Sequence, residues 1–123
     1  MEIMIREATL ADEGGLDLLY TEIDTLHHEA LPQLFRRHEE IARPSSFLAD
    51  RLADETVRIF VAEIEGRLGG MILLKIRQEE HMLQQTRAYL IVSTLIVAAD
   101  LHGQGVAQLL LDTAVTFARE RGL

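Results

Sequence analysis

The residues best suited to chemistry are His102-Gly103-Gln104-Gly105-Val106-Ala107, a run of small and polar side chains standing just before a helical period begins. Small residues let backbone N–H groups converge on one point, and the N-terminus of a following helix adds the positive end of its dipole. Such a turn is an anion site, and a diphosphate is its natural guest. Glycines between a strand and a helix also serve as plain turn residues, so spacing alone leaves both readings open. Other chemistries lack their residues. There is no cysteine, which excludes disulfides, thiolate zinc sites and a Cys nucleophile. The five histidines show no His-Glu-x-x-His spacing, and His27 and His28, adjacent on a helix, point apart, so no metal site is expected. No Gly-x-Ser-x-Gly elbow for a hydrolase nucleophile is present.

The glycine turn needs a strand before it and a helix after it. The run Ala88 to Ala98 is rich in β-branched residues and reads as a buried strand. From Val106 the period changes, with Val106, Leu109, Leu110, Ala114, Phe117 and Ala118 at helical spacing and Gly122 placed as a C-terminal cap. Upstream, residues 3–8 read as an opening strand, and Thr9 to Asp12 has the form of a capping box. A helix is then expected from about Leu10 to His28, its apolar face carrying Leu16, Leu19, Tyr20, Ile23 and Leu26. Gly14 and Gly15 weaken its first turn by roughly 1 kcal/mol each relative to alanine.

Residues 29–44 are less regular, punctuated by Pro32 and Pro44, with a short helical turn expected over Leu34–His38. Ser45 or Ser46 caps a second helix bearing Phe47, Leu48 and Leu52 to about Asp54. Strict alternation follows: Val57, Ile59 and Val61 point one way, Phe60, Ala62 and Ile64 the other, with Glu63 and Glu65 reading as solvent-facing charges. Glu65-Gly66-Arg67 turns this strand into the next, Leu68–Ile76, as an antiparallel hairpin. A polar loop over Gln78–Thr86 leads to the long strand. The order is β-α-α-β-β-β-α, an α/β (or α+β) chain forming a single domain over residues 1–123.

Bulk properties agree with a soluble globular protein: 123 residues, 48% hydrophobic, 26% charged. The start Met1-Glu2-Ile3-Met4-Ile5-Arg6 lacks the basic opening and apolar core of a signal peptide. The run at 88–98 is too short to span a bilayer as a helix, so a cytoplasmic protein is expected. The formal net charge of −8 opposes nucleic-acid phosphates and anionic membranes and draws cationic partners. Neither nucleic acid nor membrane is an expected partner. An anionic ligand must be held by local donors against that field, which a Debye length of about 8 Å at physiological salt permits.

Taken together, the order of elements and the run Leu95-Ile96-Val97-Ala98-Ala99-Asp100-Leu101-His102-Gly103-Gln104-Gly105-Val106-Ala107 resemble the GNAT superfamily of acetyl-CoA-dependent N-acetyltransferases. That family's signature is a fourth strand followed by Gln/Arg-x-x-Gly-x-Gly/Ala opening the third helix. Gly105 and Ala107 fit its small positions, and Glu65-Gly66-Arg67-Leu68-Gly69-Gly70 resembles its hairpin. The resemblance implies a GNAT-like acyl-CoA N-acyltransferase fold, with a mixed, mostly antiparallel sheet flanked by helices. It implies that acetyl-CoA is the co-substrate, its pyrophosphate on the amides of Gly103, Gln104, Gly105, Val106, Ala107 and Gln108, with the His102 imidazole as a further donor beside them. The pantetheine arm would pair with Leu95, Ile96 and Val97 as a false extra strand. A strand N–H there would polarise the thioester carbonyl while an uncharged amine attacks.

The sequence departs from the family pattern in three places. His102 stands where Gln or Arg is usual; a protonated imidazole there would add charge toward phosphate and make binding pH-sensitive. The strand has no carboxylate between Arg87 and Ala99 to serve as base. That leaves Ser93, holding a water with Thr94, and His28, with His27 and His38 near the acceptor side, as the candidate catalytic groups. Tyr89 reads as packed. The chain also stops after the third helix, where family members continue with a fifth strand and more, so it reads as the N-terminal part of the domain. The exposed edge of the long strand is then expected to be covered, with a homodimer as one means. The reading is an N-acetyltransferase acting on a small-molecule amine or a basic peptide end. Its rivals are a non-catalytic CoA-binding or interaction module and, less in keeping with an antiparallel meander, a nucleotide-binding fragment.

Overall fold

A computed structural model describes residues 1–80 and 82–123. The elements are β1 (Ile3–Glu7), α1 (Glu13–Ala30), α2 (Phe47–Ala53), β2 (Val57–Ile64), β3 (Arg67–Glu79), β4 (Arg87–Val97) and α3 (Val106–Glu120). Among the described residues the strands form one antiparallel sheet in the order β1-β2-β3-β4, so the expected element order holds. No described helix is long and apolar enough to cross a membrane.

Alternation in the strands decides which helix covers which face. Ile59 of β2 faces the same small cavity as Leu16 and Tyr20 of α1 and Leu48 of α2. Its neighbour Phe60 points the other way, its ring 6.0 Å from that of Phe117 on α3. Both faces of β2 and β3 are therefore buried, and Val61, Met71, Ile72, Leu74 and Leu110 form the centre of the core. At Gly70 a Cβ would stand 3.0 Å from the Ile96 carbonyl oxygen and 3.1 Å from Val106. Glycine there lets the first turn of α3 pack close to the sheet, where a Cβ would make its neighbours give by a few tenths of an ångström.

Two irregularities in the ladder were not foreseen. Gly69 has no partner on β2, because Ala62 pairs with Gly70 and Glu63 with Leu68. Ser93 has none on β3, because Thr94 pairs with Leu73 and Val92 with Leu74. A bulge bends its strand and sharpens the local twist. The Ser93 bulge lies on β4, whose far side is a free sheet edge.

Several local expectations need correction. Leu10–Asp12 is a 3-10 turn, and α1 runs from Glu13 to Ala30, starting later and ending later than its pattern suggested. Ser46 precedes α2, but its hydroxyl donates to Asp50 Oδ2 instead of accepting from the helix amides. Leu34–His38 is not helical; a turn closes from Phe35 N–H to the Leu31 carbonyl, and the 3-10 turn is His38–Glu40. β3 continues to Glu79, shortening the loop expected over Gln78–Thr86, of which position 81 lies outside the described residues. Leu109, counted with the buried face of α3, is exposed. The glycine cap is as expected: Gly122 has φ 69° and the Leu123 N–H returns to the Ala118 carbonyl at 2.8 Å.

Two buried carboxylates tie the layers together. Asp12 takes two bonds from the Arg6 guanidinium at 2.8 Å each and one from the Thr9 N–H at 2.8 Å. Arg6 also reaches Glu63 at 3.1 Å, so Glu63 is a half-buried partner and not a free surface charge. Asp24 on α1 accepts from Arg43 at 2.6 and 3.0 Å and from His38 Nδ1–H at 2.8 Å. These bonds pin the irregular segment before α2 onto α1.

The Arg6 bonds hold the Asp12 carboxyl below its ordinary value. For Asp24, burial pushes upward but the bonds from Arg43 and His38 outweigh it, and the net direction is also downward. Carboxyls depressed in the folded state contribute stability that is present above their unfolded pKa and lost as pH falls through the folded one. The thermal midpoint is therefore expected to hold between pH 7 and 5 and to fall steeply below about pH 4. Melting curves followed by circular dichroism measure this; a midpoint unchanged down to pH 2.5 would contradict it.

Candidate functional site

At the C-terminal end of β4 the chain leaves the sheet through a tightly tied junction. The Ala98 N–H donates to the Gly69 carbonyl at 2.9 Å, and Ala99–Leu101 form a 3-10 turn with Leu101 buried. A Cβ on Gly69 would stand 2.6 Å from Leu101 Cδ1, so the bulged glycine makes room for the leucine that anchors the turn. Arg67, leaving the β2–β3 turn, holds Asp100 at 2.6 Å. His102 Nε2–H donates to the Val97 carbonyl at 2.9 Å.

Gly103 and Gly105 then adopt φ of 80° and 85°. L-residues rarely enter this left-handed region, and glycine enters it freely. A Cβ at either position would meet nothing within 4 Å, so these glycines serve the backbone's direction and border open space. Gly105 is the N-cap of α3, whose first turn contains no acidic residue.

The consequence is a row of free donors. The Gln104 N–H returns to the Leu101 carbonyl at 3.3 Å. Among the described residues, the N–H groups of Gly103, Gly105, Val106, Ala107 and Gln108 have no protein acceptor. These are the amides that a helix start leaves unpaired, and they carry the positive end of its dipole.

A cleft of about 550 Å³ opens beside them. It is lined by Leu95, Ile96 and Val97 of β4, by Leu101, His102, Gly103, Gly105, Val106, Ala107 and Gln108, and by Glu22, Ile23 and Leu26 of α1. The residues named from sequence as cofactor contacts thus gather around one cavity, with Gln104 as the exception. The α1 wall was missed. Ile23 and Leu26 read in sequence as part of the helix's core face, and nothing local marks Glu22, whose carboxylate accepts from the Ala99 N–H.

The candidate catalytic side chains lie outside this lining. Ser93 is exposed at the β4 bulge, further along the strand from the glycine turn. His28 donates through Nδ1–H to the Phe35 carbonyl at 2.9 Å and borders a separate depression with His38. His27 stacks on Phe35 at 4.6 Å. Tyr89 donates its hydroxyl to Glu79 at 3.2 Å.

Comparison with known proteins adds the lineage. No curated protein sequence matches the chain. Solved structures do. The tetramutant of the BH1408 protein from Bacillus halodurans superimposes with a TM-score of 0.86 at 24% identity, over 98% of this chain and 78% of that one. An acetyltransferase from Vibrio fischeri gives 0.81 at 20% identity, over 98% and 89%. The aminoglycoside N-acetyltransferase AAC(6')-Iy in complex with CoA gives 0.66 at 14% identity, over 97% and 72%. At such identities these likenesses establish the fold. The sequence model of the acetyltransferase (GNAT) family matches residues 20–123, a span that begins within α1 and includes α2, the whole of the β2–β4 meander and the glycine turn. On that match, the chain belongs to the GNAT acetyltransferase family.

Proposed function

We propose that the chain binds acetyl-CoA and transfers its acetyl group to a primary amine, on a small molecule or a basic peptide end. The observation that carries this reading is the set of acceptor-free amides of Gly103, Gly105, Val106, Ala107 and Gln108 bordering an otherwise largely apolar cleft. A diphosphate satisfies such donors at little desolvation cost, because they lack helical partners in any case. Leu95, Ile96 and Val97 line the same cleft and offer an apolar track along β4 for the pantetheine arm.

In the reaction the amine nitrogen attacks the thioester carbonyl carbon. The C–N bond forms, the C–S bond breaks, the thiolate leaves with a proton, and the attacking nitrogen loses one. The oxyanion that develops needs a fixed N–H donor, and the β4 backbone along Leu95, Ile96 and Val97, beside the proposed pantetheine track, would supply it. Ser93, on the strand that carries the proposed pantetheine track, is the candidate to hold a water for the proton transfer; the His28 ring is committed through Nδ1 to the Phe35 carbonyl.

The absence of a carboxylate on β4 between Arg87 and Ala99 favours a second reading, a CoA-binding module without catalysis. Calorimetry with CoA, acetyl-CoA and ATP, followed by thiol release with a panel of amines, separates the two. Binding of both CoA compounds with amine-dependent thiol release is expected; binding without release supports the module, and ATP binding without CoA binding overturns both. A second copy of the chain covering the free edge of β4, where Ile91 and Val92 are exposed, completes the proposal. Sedimentation velocity reads this directly, and a monomer at every concentration would exclude it.

A further inference from the structure

The cleft contains a feature that works against the anion it is proposed to hold. Glu22 is the one carboxylate in its lining. Through Oε1 it accepts a hydrogen bond from the Ala99 N–H, the first amide of the turn that leads into the glycines. The other ties on this junction come from the sheet and its hairpin: Gly69 to Ala98, Arg67 to Asp100 and Val97 to His102. Among the described residues, Glu22 gives the one hydrogen bond that joins it to α1, the opposite wall of the cleft.

We infer that Glu22 is a positioning residue for the anion site, holding the glycine turn at a set distance from α1 while its own charge limits the affinity for CoA. This rests on the diphosphate reading given above. The two effects have opposite signs and separate chemically. A hydrogen bond to the Ala99 N–H needs an oxygen acceptor, which an amide side chain also supplies. Repulsion of the diphosphate needs the charge, which the amide lacks, and it weakens as salt screens it.

The test is CoA binding by calorimetry on the full chain, in about 50 mM and about 500 mM salt, across four proteins. Glu22→Ala loses both the bond and the charge, so it should weaken binding about tenfold at high salt, the cost of about one lost hydrogen bond's positioning, and only about threefold at low salt, where losing the charge offsets part of it. Glu22→Gln should bind about threefold tighter than wild type at low salt, with the gain disappearing at high salt. Glu29→Gln, an exposed charge on the same helix outside the cleft lining, should match wild type. A residue that merely supported the fold would lower the melting temperature and show neither the rescue by glutamine nor its salt dependence.

Two results would overturn the inference alone: Glu22→Ala binding as tightly as wild type, or Glu22→Gln as weak as Glu22→Ala. If Glu22→Ala does not fold, the glutamine variant and its salt dependence still decide. A folded wild-type chain that binds no CoA overturns the diphosphate reading and this inference together.

Discussion

Replacing Gly105 by glutamate is expected to reduce CoA affinity by at least about 100-fold. Gly105 has φ 85° and caps α3, and a Cβ there would project into open space beside the free amides. A side chain at this position faces no protein atom that resists it, so the loss must come from charge and backbone. A carboxylate about 5 Å from a diphosphate, at an effective dielectric constant of about 40, costs roughly 1.7 kcal/mol per opposing charge, and two such charges give about 3 kcal/mol. That corresponds to a little over two decades in Kd. The left-handed backbone adds about 1–2 kcal/mol of strain for any non-glycine residue. Gly105→Ala carries the strain without the charge, and should keep CoA affinity within about tenfold of wild type. Calorimetry on both variants, with circular dichroism to confirm folding, measures the difference; glutamate binding CoA as well as alanine would remove the proposed location.

The largest expected effect on stability belongs to Asp24. Its carboxylate is buried, and it receives both nitrogens of Arg43 and the imidazole of His38. Arg43 in turn lies over Tyr20, with Cζ 4.3 Å from the ring centroid. Asp24→Ala would leave a partly buried guanidinium without its counter-charge and release the segment before α2. Breaking a buried pair from one side costs about 3–5 kcal/mol, and because Arg43 retains some exposure the lower end applies, about 3 kcal/mol. For a chain of this size that is a drop in melting temperature of roughly 10–15 °C. Asp24 is absent from the cleft lining, so folded Asp24→Ala at low temperature should bind CoA with near wild-type affinity. Urea denaturation gives the stability change directly, and a loss below about 1 kcal/mol would show that the cluster is not a clamp.

What the sequence made legible was local. The alternation from Val57 to Ile64 and the Glu65-Gly66 turn specify a hairpin, and the change of period at Val106 marks the start of α3. The glycine turn could be placed because its backbone demands fall on consecutive residues. What stayed hidden depends on pairs far apart in the chain. The bulges at Gly69 and Ser93 are properties of two strands in register, and neither strand alone encodes a missing partner. Glu63 reads as a strand surface charge and nothing local marks Glu22 or Asp24; the partners of Glu22, Asp24 and Glu63 (Ala99, Arg43 and Arg6) stand 77, 19 and 57 positions away. Gln104 reads in sequence as one of the free amides, because its turn-closing bond to Leu101 depends on the left-handed glycines beside it.

The central claim is that the unpaired amides opening α3 hold the diphosphate of CoA. The most direct measurement is an amide-resolved NMR titration of the chain with CoA. The account predicts the largest shifts at Gly103, Gly105, Val106, Ala107 and Gln108, moving together and saturating with one affinity. Saturation with shifts confined to another face of the chain, leaving those amides where they began, would contradict it.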